Sequence, residues 1–140
     1  MPHHVYWTGL LALSMTLTGC SGGMTIVQGK LVRDGAPYQL GANEQVLLTF
    51  ETIDSQPGRA FSGQVKRDGT FTVAGIGGAG IPPGKYRITI RSMAYGTAEE
   101  PSSGDKFEGI FSSADSPLTC EVNRGAAVTI DLQQKTVTGD

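Results

Sequence analysis

Val65-Lys66-Arg67-Asp68-Gly69-Thr70-Phe71-Thr72-Val73, a glycine-rich run from Gly75 to Gly84, and Lys85-Tyr86-Arg87-Ile88-Thr89-Ile90 occupy the middle of the chain. Phe71 and Val73 alternate with threonines, and Tyr86, Ile88 and Ile90 alternate with Lys85, Arg87 and Thr89. That two-residue period describes a strand with one face buried. Phe61, Gly63 and Val65 alternate in the same way before the turn. Asp68-Gly69 supplies the positive-φ position of a short β-turn, which predicts a hairpin between Arg59–Lys66 and the strand through Phe71 and Val73. The glycine-rich run resists a nucleotide-binding reading. A phosphate cradle needs a helix behind it and Gly-Lys-Ser/Thr, whereas Gly84-Lys85 is followed by Tyr86 and a strand.

The same reading extends outward. Thr25–Arg33 predicts a first strand with Val27, Gly29 and Leu31 on one side, ended by Asp34-Gly35. Ala36–Glu44 reads as a loop, Gln45–Ile53 as a central strand, and Ser92–Asp105 as a mobile polar loop. Lys106–Ser112 offers a short edge strand around Phe107. Pro117–Val122 and Ala127–Gln133 predict a last hairpin across Asn123-Arg124-Gly125, and Lys135–Asp140 reads as a frayed tail. Seven or eight short strands, 20 Gly and 7 Pro in 140 residues predict an all-β, two-sheet sandwich of about seven strands.

The first twenty residues have a different character. Val5–Leu17 is mostly apolar, interrupted by Thr8, Gly9, Ser14 and Thr16, over a length too short to span a bilayer, which takes about 20 residues, and has the length of a secretory h-region. Leu17-Thr18-Gly19-Cys20 resembles a bacterial lipobox. The resemblance implies cleavage before Cys20, a diacylglyceryl thioether on its sulfur, and a location in the cell envelope on the membrane face turned to the periplasm or exterior. One acyl chain anchors a protein only marginally and two or more do so stably. The expected organisation is a signal peptide at 1–19, a lipidated tether at 20–24, the sandwich at 25–134 and a tail at 135–140.

Composition narrows the chemistry. A net charge of −2 with no basic cluster argues against a nucleic-acid partner. Both histidines (His3, His4) and the single tryptophan (Trp7) precede Cys20. Ser-His-Asp and Cys-His catalysis and a nitrogen-ligated metal site therefore lack their residues in the predicted domain, and no cofactor is expected. Asp34, Asp54, Asp68, Asp105 and Asp115 stand beside turn formers without the spacing of a calcium loop. With Cys20 lipidated, Cys120 has no disulfide partner, and the alternation of Leu118, Cys120 and Val122 assigns it to an apolar face.

Val27-Gln28-Gly29-Lys30-Leu31-Val32-Arg33-Asp34-Gly35, Asp68-Gly69-Thr70-Phe71 and Pro83-Gly84-Lys85-Tyr86-Arg87-Ile88 resemble carboxypeptidase-regulatory-like domains, which have a transthyretin-like (prealbumin-like) sandwich. The stretch from Phe107 to Leu132 is similar to the end of small bacterial lipoproteins built from one such domain. The resemblance implies fold and location rather than an activity. A hydrolase of the transthyretin-like fold uses His and Arg side chains and a C-terminal tetrapeptide that this chain lacks. In related surface domains a Lys–Asn isopeptide bond forms beside a buried acid; Lys30 and Asn123 have the right side chains, but the acid is missing where that family places it. The expectation is thus a lipid-anchored envelope protein whose sandwich is a non-enzymatic interaction or structural module, with an envelope protein or a glycan as its partner. The alternatives are a glycan- or peptide-binding surface, with Tyr38 and Tyr95 as the candidate platforms and Tyr86 in the core, and, least favoured, a hydrolase.

Overall fold

A computed structural model describes residues 23–55, 57–99, 101–102, 104–112 and 115–139; Cys20 and the expected signal peptide at 1–19 lie outside them. The strands are β1 (Val27–Arg33), β2 (Ala36–Pro37), β3 (Glu44–Thr52), β4 (Ala60–Gln64), β5 (Thr70–Val73), β6 (Gly84–Ala94), β7 (Thr119–Val122), β8 (Ala127–Asp131) and β9 (Thr136–Gly139). They form a two-sheet sandwich. One sheet runs β4-β3-β6-β7 and is antiparallel throughout. In the other, β1 pairs antiparallel with β2 and β5, parallel with β8, and β8 carries β9.

The alternation seen in sequence builds the core. Val46, Leu48 and Phe50 of β3 and Tyr86, Ile88 and Ile90 of β6 are buried on the inner face of one sheet. Val27, Leu31, Phe71, Val73, Val128 and Ile130 face them from the other. Phe50 joins the two layers, its ring centroid 6.4 Å from Phe71 and 6.0 Å from Tyr86 in tilted arrangements that suit the ring quadrupoles. Gly29 lies under the Phe71 ring against the Val128 carbonyl, and a Cβ there would overlap both.

Both predicted hairpins are corrected. β4 pairs with β3 and β5 pairs with β1, so the two segments flanking Asp68-Gly69 belong to different sheets and share only the Val65–Phe71 bridge. The turn itself is tight, with Gly69 N–H donating to Lys66 O at 2.9 Å and Gly69 at φ +84. It is a corner between layers because each strand finds a longer partner elsewhere. The turn around Asn123-Arg124-Gly125 does the same, passing the chain from β7 beside β6 to β8 beside β1.

Three further expectations change. Thr136–Gly139 is not a frayed tail but an edge strand in register with β8, Val137 opposite Ile130. Ala36–Pro37, read as loop, forms a short antiparallel pair with Val32–Arg33. Lys106–Ser112 is a chain of turns rather than a strand, with Glu108 and Gly109 at φ 54 and 77. These turns drop Phe107 and Phe111 into the core in edge contact at 5.8 Å.

The two ends of the sandwich differ. The chain enters at the end holding the start of β1, the β5–β6 loop and the β7–β8 turn. Thr25 and Ile81 exchange backbone hydrogen bonds of 2.9 and 2.7 Å there. The opposite end carries the β2–β3 loop, the Lys66–Gly69 corner and the segment after β6.

Candidate binding cleft

At that opposite end β3 begins with Glu44 and β6 finishes with Ala94, paired directly across the sheet. The sequence pattern makes Glu44 the last residue of a loop, whereas in the structure it opens β3. Its side chain is only 2 % exposed, and every acceptor direction is used. One carboxylate oxygen, Oε1, accepts from Tyr38 Oη and from Ser92 Oγ, each at 2.8 Å. The other, Oε2, accepts from Lys106 Nζ and from the Gly41 backbone N–H, each at 2.9 Å. Burial alone would push this carboxyl up; the Gly41 N–H, Lys106, Tyr38 and Ser92 together overcome burial and hold it down at about 2. Glu44 is therefore a fixed anion that joins the β2–β3 loop, β6 and the Lys106 segment.

Asp105 fastens the neighbouring segment. Its Oδ1 accepts from Ser92 N–H at 3.0 Å and Phe107 N–H at 3.1 Å, and Oδ2 accepts from Gly109 N–H at 3.1 Å. Both boundaries of the loop expected to be mobile are thus pinned: Ser92 lies within β6 and is fully buried, and Asp105 caps the turns that follow.

Above Glu44 a cleft of about 460 Å³ opens between Ala42, Asn43, Ala94, Tyr95, Pro101 and Lys106. Tyr95 is 62 % exposed, its N–H bound to Asn43 O at 2.9 Å and its hydroxyl donating to Gln45 Oε1 at 2.5 Å. Tethered at both backbone and hydroxyl, the ring offers a fixed planar face. Lys106 uses one donor on Glu44 while its side chain stays 44 % exposed, leaving donors for a ligand.

Of the two tyrosines proposed from sequence, only Tyr95 stands on the cleft surface. Tyr38 is corrected: its ring is buried against Phe107, 5.9 Å between centroids, and it serves from beneath as a donor to Glu44. Burial and the acceptor at Glu44 push its hydroxyl up to about 12. Tyr86 lies in the core, its hydroxyl donating to Pro82 O at 2.6 Å. Glu44, Ser92 and Lys106 escaped the sequence reading. Their one local signal is Gly41-Ala42-Asn43-Glu44, a turn whose fourth residue bonds back to the first, whereas Lys106 arrives from 62 positions away.

The remaining candidates are dispersed. Cys20 lies outside the described residues. Cys120 is free and half-buried at the core's margin, where burial pushes its thiol up to about 12. Asp68 accepts from the Thr70 N–H and hydroxyl, which holds its carboxyl below the usual range in a turn. Lys30 is exposed on the outer side of β1, and Asn123 is exposed in the turn after β7. Among the described residues no three His, Cys, Asp or Glu side chains cluster as metal ligands, and no helix is long and apolar enough to cross a membrane. No family model, curated protein or solved structure matches the chain.

Proposed function

We propose that the protein is a lipid-anchored cell-envelope protein, held at a membrane through Cys20. In this reading its sandwich, of the carboxypeptidase-regulatory-like kind, is a non-enzymatic interaction module that presents the cleft between Tyr95 and Lys106. The observation that carries this reading is the polarity of the fold. The chain enters beside the β7–β8 turn and the cleft opens at the other end, so a tether of a few residues leaves the cleft facing away from the anchoring surface.

The side chains favour binding over catalysis. A carboxylate held at about 2 by four donors is a poor proton acceptor near neutrality, where a general base needs a pKa close to the working pH. A fixed aromatic face beside a partly free ammonium suits a glycan or short peptide with an oxygen acceptor. Replacing Cys20 by Ser is expected to release the protein from membranes, and unchanged membrane partition would refute anchoring. Glycan and peptide arrays probed with the protein should give hits that Tyr95→Ala abolishes; hits indifferent to that change would remove the cleft from the account.

A further inference from the structure

The end of the sandwich where the chain enters carries a second feature. Between β5 and β6 the chain makes a compact loop, Gly75–Gly80, closed by Gly75 N–H to Ala79 O at 2.6 Å and Gly78 N–H to Gly75 O at 3.2 Å. Gly77 and Gly78 sit at φ 68 and 79, which lets the loop turn within so few residues. At its tip stands Ile76, 98 % exposed, the most exposed of the large apolar side chains described. The loop itself is held without any help from this side chain. Gly80 lies so close to the chain at Met24 and Thr25 that a Cβ would overlap that backbone, and the Thr25–Ile81 hydrogen-bond pair locks the two segments together. Met24 and Ile26 flank the crossing, 53 % and 47 % exposed.

An exposed aliphatic side chain on a rigid glycine loop contributes nothing to the fold, while burial in an apolar phase is favourable. The phase within reach is set by the chain. From Met24 back to Cys20 is four residues, at most about 14 Å fully extended. Arg124 of the β7–β8 turn brings its guanidinium beside Gly23, on the path of the chain towards Cys20, while Asp54 and Glu121 lie at the same end of the sandwich.

We infer that this end docks on the bilayer, with Ile76 entering the interface, Met24 and Ile26 lying at its surface, and Arg124 meeting anionic headgroups. The inference rests on lipidation at Cys20. It makes the acyl anchor and the Ile76 loop a two-point attachment that fixes the orientation of the domain, with the Tyr95 cleft directed outward.

The test uses the mature lipidated protein, with Cys120→Ser, in vesicles of phosphatidylethanolamine and phosphatidylglycerol. An environment-sensitive fluorophore is placed on Ile76→Cys, or on Gly104→Cys at the far end. Neither position makes packing contacts that the label would disrupt. The expected result is co-sedimentation of both proteins, with the label at 76 blue-shifted and quenched by shallow lipid-borne quenchers and the label at 104 still in water. In the unlabelled Cys20→Ser protein, Ile76→Asp should weaken residual vesicle binding about tenfold or more. Sedimenting protein whose label at 76 reads water overturns docking and leaves the anchor intact. Protein that fails to sediment overturns the anchor, and docking with it. A label at 76 shielded already without vesicles means that a second copy covers the loop, which also overturns docking on lipid.

Discussion

Replacing Glu44 by Gln removes one charge and keeps the shape of the side chain. Tyr38 Oη and Ser92 Oγ both donate to one carboxylate oxygen, and Gly41 N–H and Lys106 Nζ both donate to the other. An amide satisfies only one pair with its oxygen and sets its own N–H₂ against the second. Ser92 is fully buried, so the oxygen should keep the Tyr38 and Ser92 donors and leave Gly41 and Lys106 to water. The carboxyl lies at about 2 against an ordinary 4.5, which at ~1.4 kcal/mol per decade corresponds to about 3 kcal/mol. Lys106 is 44 % exposed, and solvent screening reduces this to about 2 kcal/mol. For a domain of this size the melting temperature should fall by roughly 8 °C. The pH dependence has a definite sign. Between about pH 4.5 and 2 the unfolded chain binds a proton at Glu44 that the folded chain refuses, so this stabilisation is complete above pH 4.5 and disappears as pH falls towards 2. Thermal unfolding of both proteins followed by circular dichroism at pH 7 and pH 2 measures it. The gap should be wide at pH 7 and narrow at pH 2. Equal melting at pH 7, or a gap that does not change with pH, would refute the assignment of Glu44 as the anchored anion.

Three other outcomes follow from the packing. Gly29→Ala should cost about 3 kcal/mol in denaturant unfolding, because the added methyl meets Phe71 and the fixed Val128 carbonyl; Gly104→Ala, with open space around it, should stay within about 0.5 kcal/mol of the parent. Phe50→Ala removes the ring that touches both Phe71 and Tyr86 and should cost about 4 kcal/mol by the same measurement. Cys120, with its thiol pushed up to about 12, should react with a disulfide reagent at pH 8 at least about a hundredfold more slowly in the folded protein than in denaturant.

The strands and the identity of their inner faces were legible because alternation is a local property. Val46, Leu48 and Phe50, or Tyr86, Ile88 and Ile90, announce a buried face whatever lies beside them. Pairing was less legible. Asp68-Gly69 specifies a tight turn, and the turn is there, but whether its arms pair is decided by β3 and β1, which hold β4 and β5 in separate layers. The edge strand Thr136–Gly139 was missed because its inner side offers only Val137, and its order comes from the ladder with β8. The cleft was half visible. Tyr95 and Tyr38 are the same residue type in sequence; Tyr38 is set apart by Phe107 against its ring, Arg33 over it and Glu44 at its hydroxyl. Glu44 gave no sign of its burial, since three of its four donors come from Tyr38, Ser92 and Lys106, each outside its own turn.

In the proposed reading, anchoring at Cys20 is what sets which end of the sandwich faces the membrane, and therefore where the Tyr95 cleft and the Ile76 loop point. Mass spectrometry of the N-terminal peptide from protein expressed in a bacterial envelope tests it most directly. The account predicts a mature chain beginning at Cys20 with diacylglyceryl on its sulfur. An N-terminus at any other residue, or an unmodified Cys20, would contradict it.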